Sequence, residues 1–432
     1  MKKAINLKNI YSKQYLLLIC IGFLPLCWKV LEIVLLSGFV NGLKILAQIS
    51  LIQIIFKIFE ETLLNPLYKL LGKDNYKTEE DKNTIAKKFL IYYSIATLAF
   101  TALVFILLSP ILSISQIPEE IFNQTKSFLN IYIISCGLGV ISKYLHTFSI
   151  INKDTKKMFI YLLLKALATA VLFVIFVPQF SMKLGVIGIA ISELVVNILT
   201  IVYLFLTFPK TQSKHTFFNK KLYFRLAFFS FAETLIRNIV YYFIILVFLN
   251  MINNQDLYFV SNDFIWAIML VPTLAQSTLI KQDIANNPNT KLKPYFVNCL
   301  LLIGFVALMI PLAFITYKYI YCFENHLEHF FVLLKLLPCY VFFVFDSVVE
   351  AYFFATGKLH HIFIQNLITN ILVYLTAFIL YLCNVWVVTL DSLILLFNLG
   401  VIISSIYTIF AYMFERKKNK NKTWKPNKFM LI

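Results

Sequence analysis

Charge is scarce in this chain, and acid scarcer than base: 14% of its 432 residues are Asp, Glu, Lys or Arg, with 21 acids against 39 bases. Soluble domains carry about 25% charged residues, so a content of 60% apolar residues excludes an ordinary globular surface and makes lipid the main solvent. Metal-ligand spacings are missing too. The seven cysteines (Cys20, Cys27, Cys136, Cys299, Cys322, Cys339 and Cys383) include no C-x-x-C pair, and the six histidines offer only His360-His361. The cysteines read as packing residues, the histidine pair as loop, and no metal site is expected. No G-x-x-x-x-G-K phosphate loop occurs, which argues against ATP hydrolysis within the chain. Nor is any polar connection long enough for an extramembrane catalytic domain, so the chain reads as a non-enzyme without a cofactor.

What is present is a succession of apolar runs, each long enough for the roughly 20 residues that a membrane-crossing helix requires. Cutting at the polar interruptions predicts twelve spans: about 14 to 38, 43 to 71, 89 to 114, 126 to 151, 158 to 178, 184 to 208, 222 to 250, 257 to 282, 294 to 322, 329 to 355, 360 to 385 and 387 to 414. The first run holds Trp28, Lys29 and Glu32 and lacks a small-residue cleavage pattern, so it reads as a retained helix rather than a signal peptide. The longest connections are Gly72 to Lys88 and Pro209 to Lys221.

The bases alternate from loop to loop. Lys2, Lys3, Lys8 and Lys13 precede span 1, Lys73, Lys77, Lys82, Lys87 and Lys88 follow span 2, and Lys153, Lys156 and Lys157 follow span 4. Lys210, Lys214, Lys220 and Lys221 follow span 6, Lys281, Lys291 and Lys293 follow span 8, Lys358 follows span 10, and Arg416 to Lys428 form a basic tail. The positive-inside rule turns this into a plasma-membrane protein with both termini in the cytoplasm, and it accounts for the charge of +18 without nucleic acid. Anionic lipid headgroups could add to the tail's role.

A shift of about 200 residues pairs Phe159, Ile160 and Leu163 with Phe363, Ile364 and Leu367, and Leu67 and Lys69 with Leu279 and Lys281, as duplicated halves would. An even number of spans per half makes the repeat parallel, with an axis along the membrane normal. This gives an all-α polytopic fold with lobes at 1–208 and 222–415, a cytoplasmic linker at 209–221 and a cytoplasmic tail at 416–432.

Three segments resemble the multidrug and toxic compound extrusion (MATE) family of the multidrug/oligosaccharidyl-lipid/polysaccharide flippase superfamily. They are Leu64-Asn65-Pro66-Leu67-Tyr68-Lys69-Leu70-Leu71-Gly72-Lys73-Asp74-Asn75 with its counterpart Leu279-Ile280-Lys281-Gln282-Asp283, the turn Asn152-Lys153-Asp154-Thr155-Lys156-Lys157, and Leu184-Gly185-Val186-Ile187-Gly188-Ile189-Ala190. Lys153 replaces the family's usual Gly, the chain holds only 11 glycines, and a helix-1 Asp is missing. The resemblance implies a V-shaped pair of six-helix lobes related by a pseudo-twofold axis, with a central cavity and alternating access.

Ionisable residues inside a span must face protein, water or a partner charge. Lys57 in span 2 can pair with Glu60 or Glu61 at helical spacing, leaving one acid over, which makes these acids candidates for either a neutralised pair or a cavity-lining cation site. Glu233 and Arg237 in span 7 read as an i,i+4 ion pair. Asp346 and Glu350 in span 10 are i,i+4 acids with no base in the same turn, so repulsion between them favours a shared proton or a bound cation. Asp346 is also similar in place to the family's helix-10 acid that helps bind the coupling cation. Glu32, pairing with Lys29, is the acid that could stand in for the missing helix-1 Asp. Glu193 with Asn197, and Asn262 with Asp263, either join helices or line the cavity.

These readings lead to a monomeric secondary transporter that exports amphipathic or cationic small molecules in exchange for Na⁺ or H⁺. The alternative is a flippase for lipid-linked oligosaccharide or polysaccharide precursors, which a net-basic cavity would favour.

Overall fold

A computed structural model describes residues 12–36, 39, 42–47, 49–76, 78–114, 119–179, 181–209, 219–240, 247–252 and 255–421. Lys2, Lys3, Lys8, most of the basic linker and the tail beyond Asn421 lie outside them. The described residues are helical, without strands: α1 (Lys13–Leu36), α2 (Gly42–Ala47), α3 (Ile49–Leu70), α4 (Glu79–Ile114), α5 (Glu119–Ile151), α6 (Thr155–Leu163), α7 (Thr169–Phe176) and α8 (Val186–Leu206). There follow α9 (Lys220–Val240), α10 (Val247–Asn250), α11 (Gln255–Phe264), α12 (Val271–Asn286), α13 (Lys293–Ile315), α14 (His326–Thr356), α15 (Leu359–Thr369), α16 (Thr376–Leu382) and α17 (Leu390–Asn421).

Nine of these helical stretches are long and apolar enough to cross a membrane, and a tenth is the pair α11 and α12, bent by 49°. Two more are long enough but too charged. The 22 residues of α3 include Lys57, Glu60, Glu61 and Lys69, and the 21 of α9 include Lys220, Lys221, Arg225, Glu233 and Arg237. Most of these charges find partners in the protein, as the cost of placing them against lipid requires. Lipid-facing positions are the reverse: Ile106, Leu206 and Leu308 are exposed, while Ser135, Ser142, Thr97 and Thr200 are fully buried.

Several helix ends lie outside the bounds that the apolar runs predict, because charged residues continue the helices. The helix α4 begins at Glu79, ten residues before the expected start of span 3, and this shortens the connection that was expected to run from Gly72 to Lys88. Thr78 and Asp81 cap it reciprocally, each side chain accepting the other's backbone N–H at 3.1 Å, and the acids Glu79, Glu80 and Asp81 suit the positive end of the helix dipole. His360 and His361 belong to the first turns of α15 rather than to a loop, and α17 continues helically into the basic tail as far as Asn421. Of the cysteines only Cys299 and Cys339 are buried; Cys20, Cys27, Cys322 and Cys383 are exposed, so packing is not their common role.

Two glycines explain the start of α8. Gly185 has φ +55° and ψ −129°, a conformation open to glycine alone. A Cβ on Gly188 would lie 2.8 Å from the Phe176 carbonyl, so α8 packs backbone against backbone on the end of α7. Lys153 also has positive φ, +57°, which is why a glycine suits that turn. The turn then delivers Asp154 as N-cap of α6, accepting the Lys157 N–H at 3.1 Å.

The buried apolar residues form two large bodies, one within residues 36–227 and one mostly within 248–396. Each borrows from the other half: Tyr15 and Leu18 of α1 belong to the second core, Tyr223 and Ala227 of α9 to the first. A π-helical turn interrupts the span after α6 at Leu164–Ala168 and the span after α15 at Asn370–Leu375, matching places in the two halves. The two turns begin within two residues of the register in which Phe159 answers Phe363.

Candidate functional site

Two antiparallel helix pairs join the lobes. In the first, α1 runs against α11 and α12. Gly22 admits the Val271 side chain, which would approach an added Cβ to 2.8 Å, and Lys29 Nζ meets Asp263 Oδ2 at 2.9 Å. In the second, α9 runs against α3. Asn65 donates to Ser230 Oγ at 3.0 Å, Ser230 donates to the Glu61 carbonyl at 3.0 Å, and Arg237 holds Glu61 Oε2 at 2.5 Å. Each seam thus has a base on the first span of one lobe and an acid on the second span of the other.

These partners differ from those expected. Lys29 pairs with Asp263 rather than with Glu32, one turn away. Glu60 pairs with Lys143 of α5 at 2.7 Å and Glu61 with Arg237, so neither acid is left for Lys57. Cross-helix partners win because Lys143 and Arg237 approach α3 from opposite flanks, each facing one acid. Both acids are satisfied, and among the described residues Lys57 has no ion pair. The expected pair of Glu233 with Arg237 exists, but at 3.5 Å it is the looser arm of a guanidinium shared with Glu61.

Behind the second seam lies a buried polar cluster in the C-terminal lobe. Asp346 and Glu350 project from α14, and the Gln365 side-chain amide of α15 donates to both, at 3.5 Å to Asp346 Oδ2 and 3.0 Å to Glu350 Oε1. It also donates to Ser404 of α17 at 2.5 Å. Next in sequence, Asn366 donates to Glu233 Oε1 at 3.2 Å, and Thr234 donates to Glu233 Oε2 at 3.0 Å. The chain of contacts Asp346, Gln365, Asn366, Glu233, Arg237, Glu61 therefore leads from the core of one lobe to the other. Lys281 of α12 sits in electrostatic reach of Glu350, its ammonium 4.5 Å above the Phe354 ring.

The inner end of this cluster has acceptors to spare. Asp346 is 2% exposed, and the Ser405 and Thr408 hydroxyls stand nearest its carboxylate, yet among the described residues its Oδ1 and Gln365 Oε1 are buried without a close hydrogen-bond partner. Such groups cost about 1–3 kcal/mol each when left unmet. A proton shared between these two oxygens, or a small cation beside them, would meet both.

A second polar cluster lies in the N-terminal lobe. Lys165, in the π-turn between α6 and α7, donates to Asn197 Oδ1 at 2.5 Å, and Asn197 donates to the Ser135 carbonyl at 2.9 Å. Glu193 and Glu32 are in electrostatic reach of each other, and Glu193 of Lys165. Asn262 accepts from Tyr340 at 2.6 Å, which ties α11 to α14. Gln365, Asn366, Lys143, Lys165 and Lys281 escaped the sequence reading as site residues. The amides give no sequence signal of their own, though Gln365 stands two residues past the start of the Phe363-Ile364 repeat pair.

On the face with the basic loops the lobes are shut. Lys153 Nζ meets Asp283 Oδ1 at 2.5 Å, Tyr295 donates to the same carboxylate, and Asn286 donates to the Ile151 carbonyl at 2.7 Å.

No protein-family model matches this sequence, and no curated protein matches it. Solved structures do match over nearly the whole chain. One is the Vibrio cholerae MATE transporter VcmN in its bent form, with a TM-score of 0.74 at 13% identity over 96% of this chain and 98% of that one. Another is an outward-facing multidrug resistance MATE family transporter of the MOP superfamily, at 0.79 and 13% over 98% and 100%. A third is a MOP superfamily transporter from Pyrococcus furiosus, described as having a binding pocket of reverse polarity that suggests a different function, at 0.74 and 13% over 98% and 100%. At this identity the likeness is one of fold: the chain has the V-shaped, two-lobed, multi-pass architecture of the MATE transporters.

Proposed function

We propose that the chain is a monomeric secondary active transporter, not an enzyme, that exports amphipathic or cationic small molecules from the cytoplasm by exchange with Na⁺ or H⁺. The buried carboxylate pair of the C-terminal cluster carries this reading: Asp346 and Glu350 share one amide donor, with only the neutral Ser405 and Thr408 hydroxyls beside Asp346 among the described residues. Two carboxylates one turn apart in a dry site repel, and an entering proton or Na⁺ relieves that repulsion.

Coupling follows from Arg237, which the cluster and the seam share. Its guanidinium divides between Glu233, in contact with Asn366, and Glu61 on the other lobe. Positive charge arriving at the cluster weakens the claim of Glu233 and leaves Arg237 to Glu61. Ion loading thereby alters the contact between lobes, as alternating access requires. The loop charges support a plasma-membrane setting with cytoplasmic termini, in which the shut face of the molecule is cytoplasmic.

The test is dye efflux from proteoliposomes under imposed Na⁺ or H⁺ gradients. Gradient-dependent efflux is expected, and the effective gradient names the ion. Folded, correctly oriented protein that moves no dye under either gradient would overturn the reading in favour of lipid-linked precursor flipping.

A further inference from the structure

Lys57 is an ionisable residue of α3 without a charge partner among the described residues. Eight residues into the helix, it lies about 12 Å along the axis from Ile49, too deep for lipid contact without penalty. Its side chain is nonetheless exposed. Helical phase says to what. At 3.6 residues per turn, Gln53 and Glu60 lie about 40° and 60° to one side of Lys57, and Glu61 about 40° to the other. Gln53 reaches Tyr132 and Glu60 reaches Lys143, both on α5 of the N-terminal lobe, while Glu61 reaches Arg237 on α9 of the C-terminal lobe. Lys57 therefore points between the α5-facing and α9-facing flanks of α3, that is, between the lobes.

Neighbouring acids cannot neutralise it. Glu60 is taken by Lys143, Glu61 and Glu233 by Arg237, and Asp263 by Lys29. Among the described residues no hydrogen bond, ion pair or ring contact engages the Lys57 ammonium. A charge carried deep into a membrane protein and left unneutralised is available to a ligand.

We propose that Lys57 is an anion-binding position between the lobes, so that the transported amphipath presents a carboxylate, phosphate or like group to it. This rests on the transporter reading and narrows its substrate class. It is compatible with a solute that is also cationic elsewhere, because the acids of the C-terminal cluster lie across the seam. The same anion chemistry could belong to a soluble solute or to a lipid phosphate headgroup.

The experiment is equilibrium binding by the full chain in detergent, read by fluorescence anisotropy of a dansyl probe ending in a carboxylate and of its trimethylammonium counterpart of equal length. Lys57→Gln is expected to weaken the carboxylate probe about tenfold and leave the ammonium probe unchanged, with Lys57→Arg restoring the carboxylate. Equal affinity of the carboxylate probe for wild type and Lys57→Gln, or its failure to bind wild type, overturns the proposal. Competition assigns the source: displacement by hexyl phosphate indicates a soluble anion, and displacement by dioctanoyl phosphatidic acid alone indicates a lipid headgroup. Gradient-driven efflux in proteoliposomes is scored separately. Lys57-dependent binding without efflux removes the transporter reading and keeps the anion position, whereas efflux of the carboxylate probe that Lys57→Gln leaves unchanged does the opposite.

Discussion

The two seams between the lobes use one device with unequal settings. Lys29 with Asp263 and Arg237 with Glu61 occupy equivalent places, a base on the first span of a lobe facing an acid on the second span of the other. In the first pair the side chains are 62% and 61% exposed; in the second they are 48% and 26% exposed. Screening weakens the first and spares more of the second. The second pair also has a rival, since Glu233 draws on the same guanidinium. The two lobes thus carry two like-placed latches, and only the second touches the acid cluster of the C-terminal lobe.

Removing that cluster is the strongest way to break the comparison. Asp346→Asn is expected to reduce gradient-driven efflux at least about 100-fold while expression and melting temperature stay near wild type; efflux within twofold of wild type would take Asp346 out of the mechanism. Arg237→Gln strips two acids of their base. It is expected to destabilise the protein by about 1–2 kcal/mol, seen as a lower melting temperature in detergent, and to impair efflux as well. Charge exchange sharpens the contrast. Lys29→Asp with Asp263→Lys is expected to recover most of the activity that either single change loses, whereas Arg237→Glu with Glu61→Arg is expected to fail, because the new acid would face Glu233. Recovery in both exchanges would make the seams equivalent. The smallest effect belongs to Lys29→Gln, about 0.5 kcal/mol or less in unfolding measurements, as for other exposed pairs.

The architecture was legible because long apolar runs and basic loops are global signals that survive local error. Helix ends were less so. The acids from Glu79 to Asp81 look like loop until they are seen as the first turn of a capped helix. At the candidate site, single-helix spacing identified which residues are unusual but not which meet. Glu60, Glu61 and Lys29 each had a helical neighbour of opposite charge, and each found its partner across the bundle instead, on α5, α9 and α11. Asp346 and Glu350 stood out because they lacked such a neighbour. Gln365 could not stand out, since an amide in an apolar helix has no charge to balance. Whether a membrane charge is answered is a tertiary fact, and Lys57 shows it most clearly: its two nearby acids are both engaged elsewhere.

The exchange of helix ends between the two cores bears on how the protein is made. Tyr223 of α9 lies 4.7 Å from Phe89 in the aromatic group that also holds Tyr93 and Tyr144, so the N-terminal core stays unfinished until the ribosome has passed residue 227. Conversely, Tyr15 donates to the Pro272 carbonyl at 3.0 Å and waits longer still for its place in the second core. Neither six-span half can then complete its packing during synthesis by itself. The first half lacks two of its core side chains until a helix encoded beyond its own end arrives.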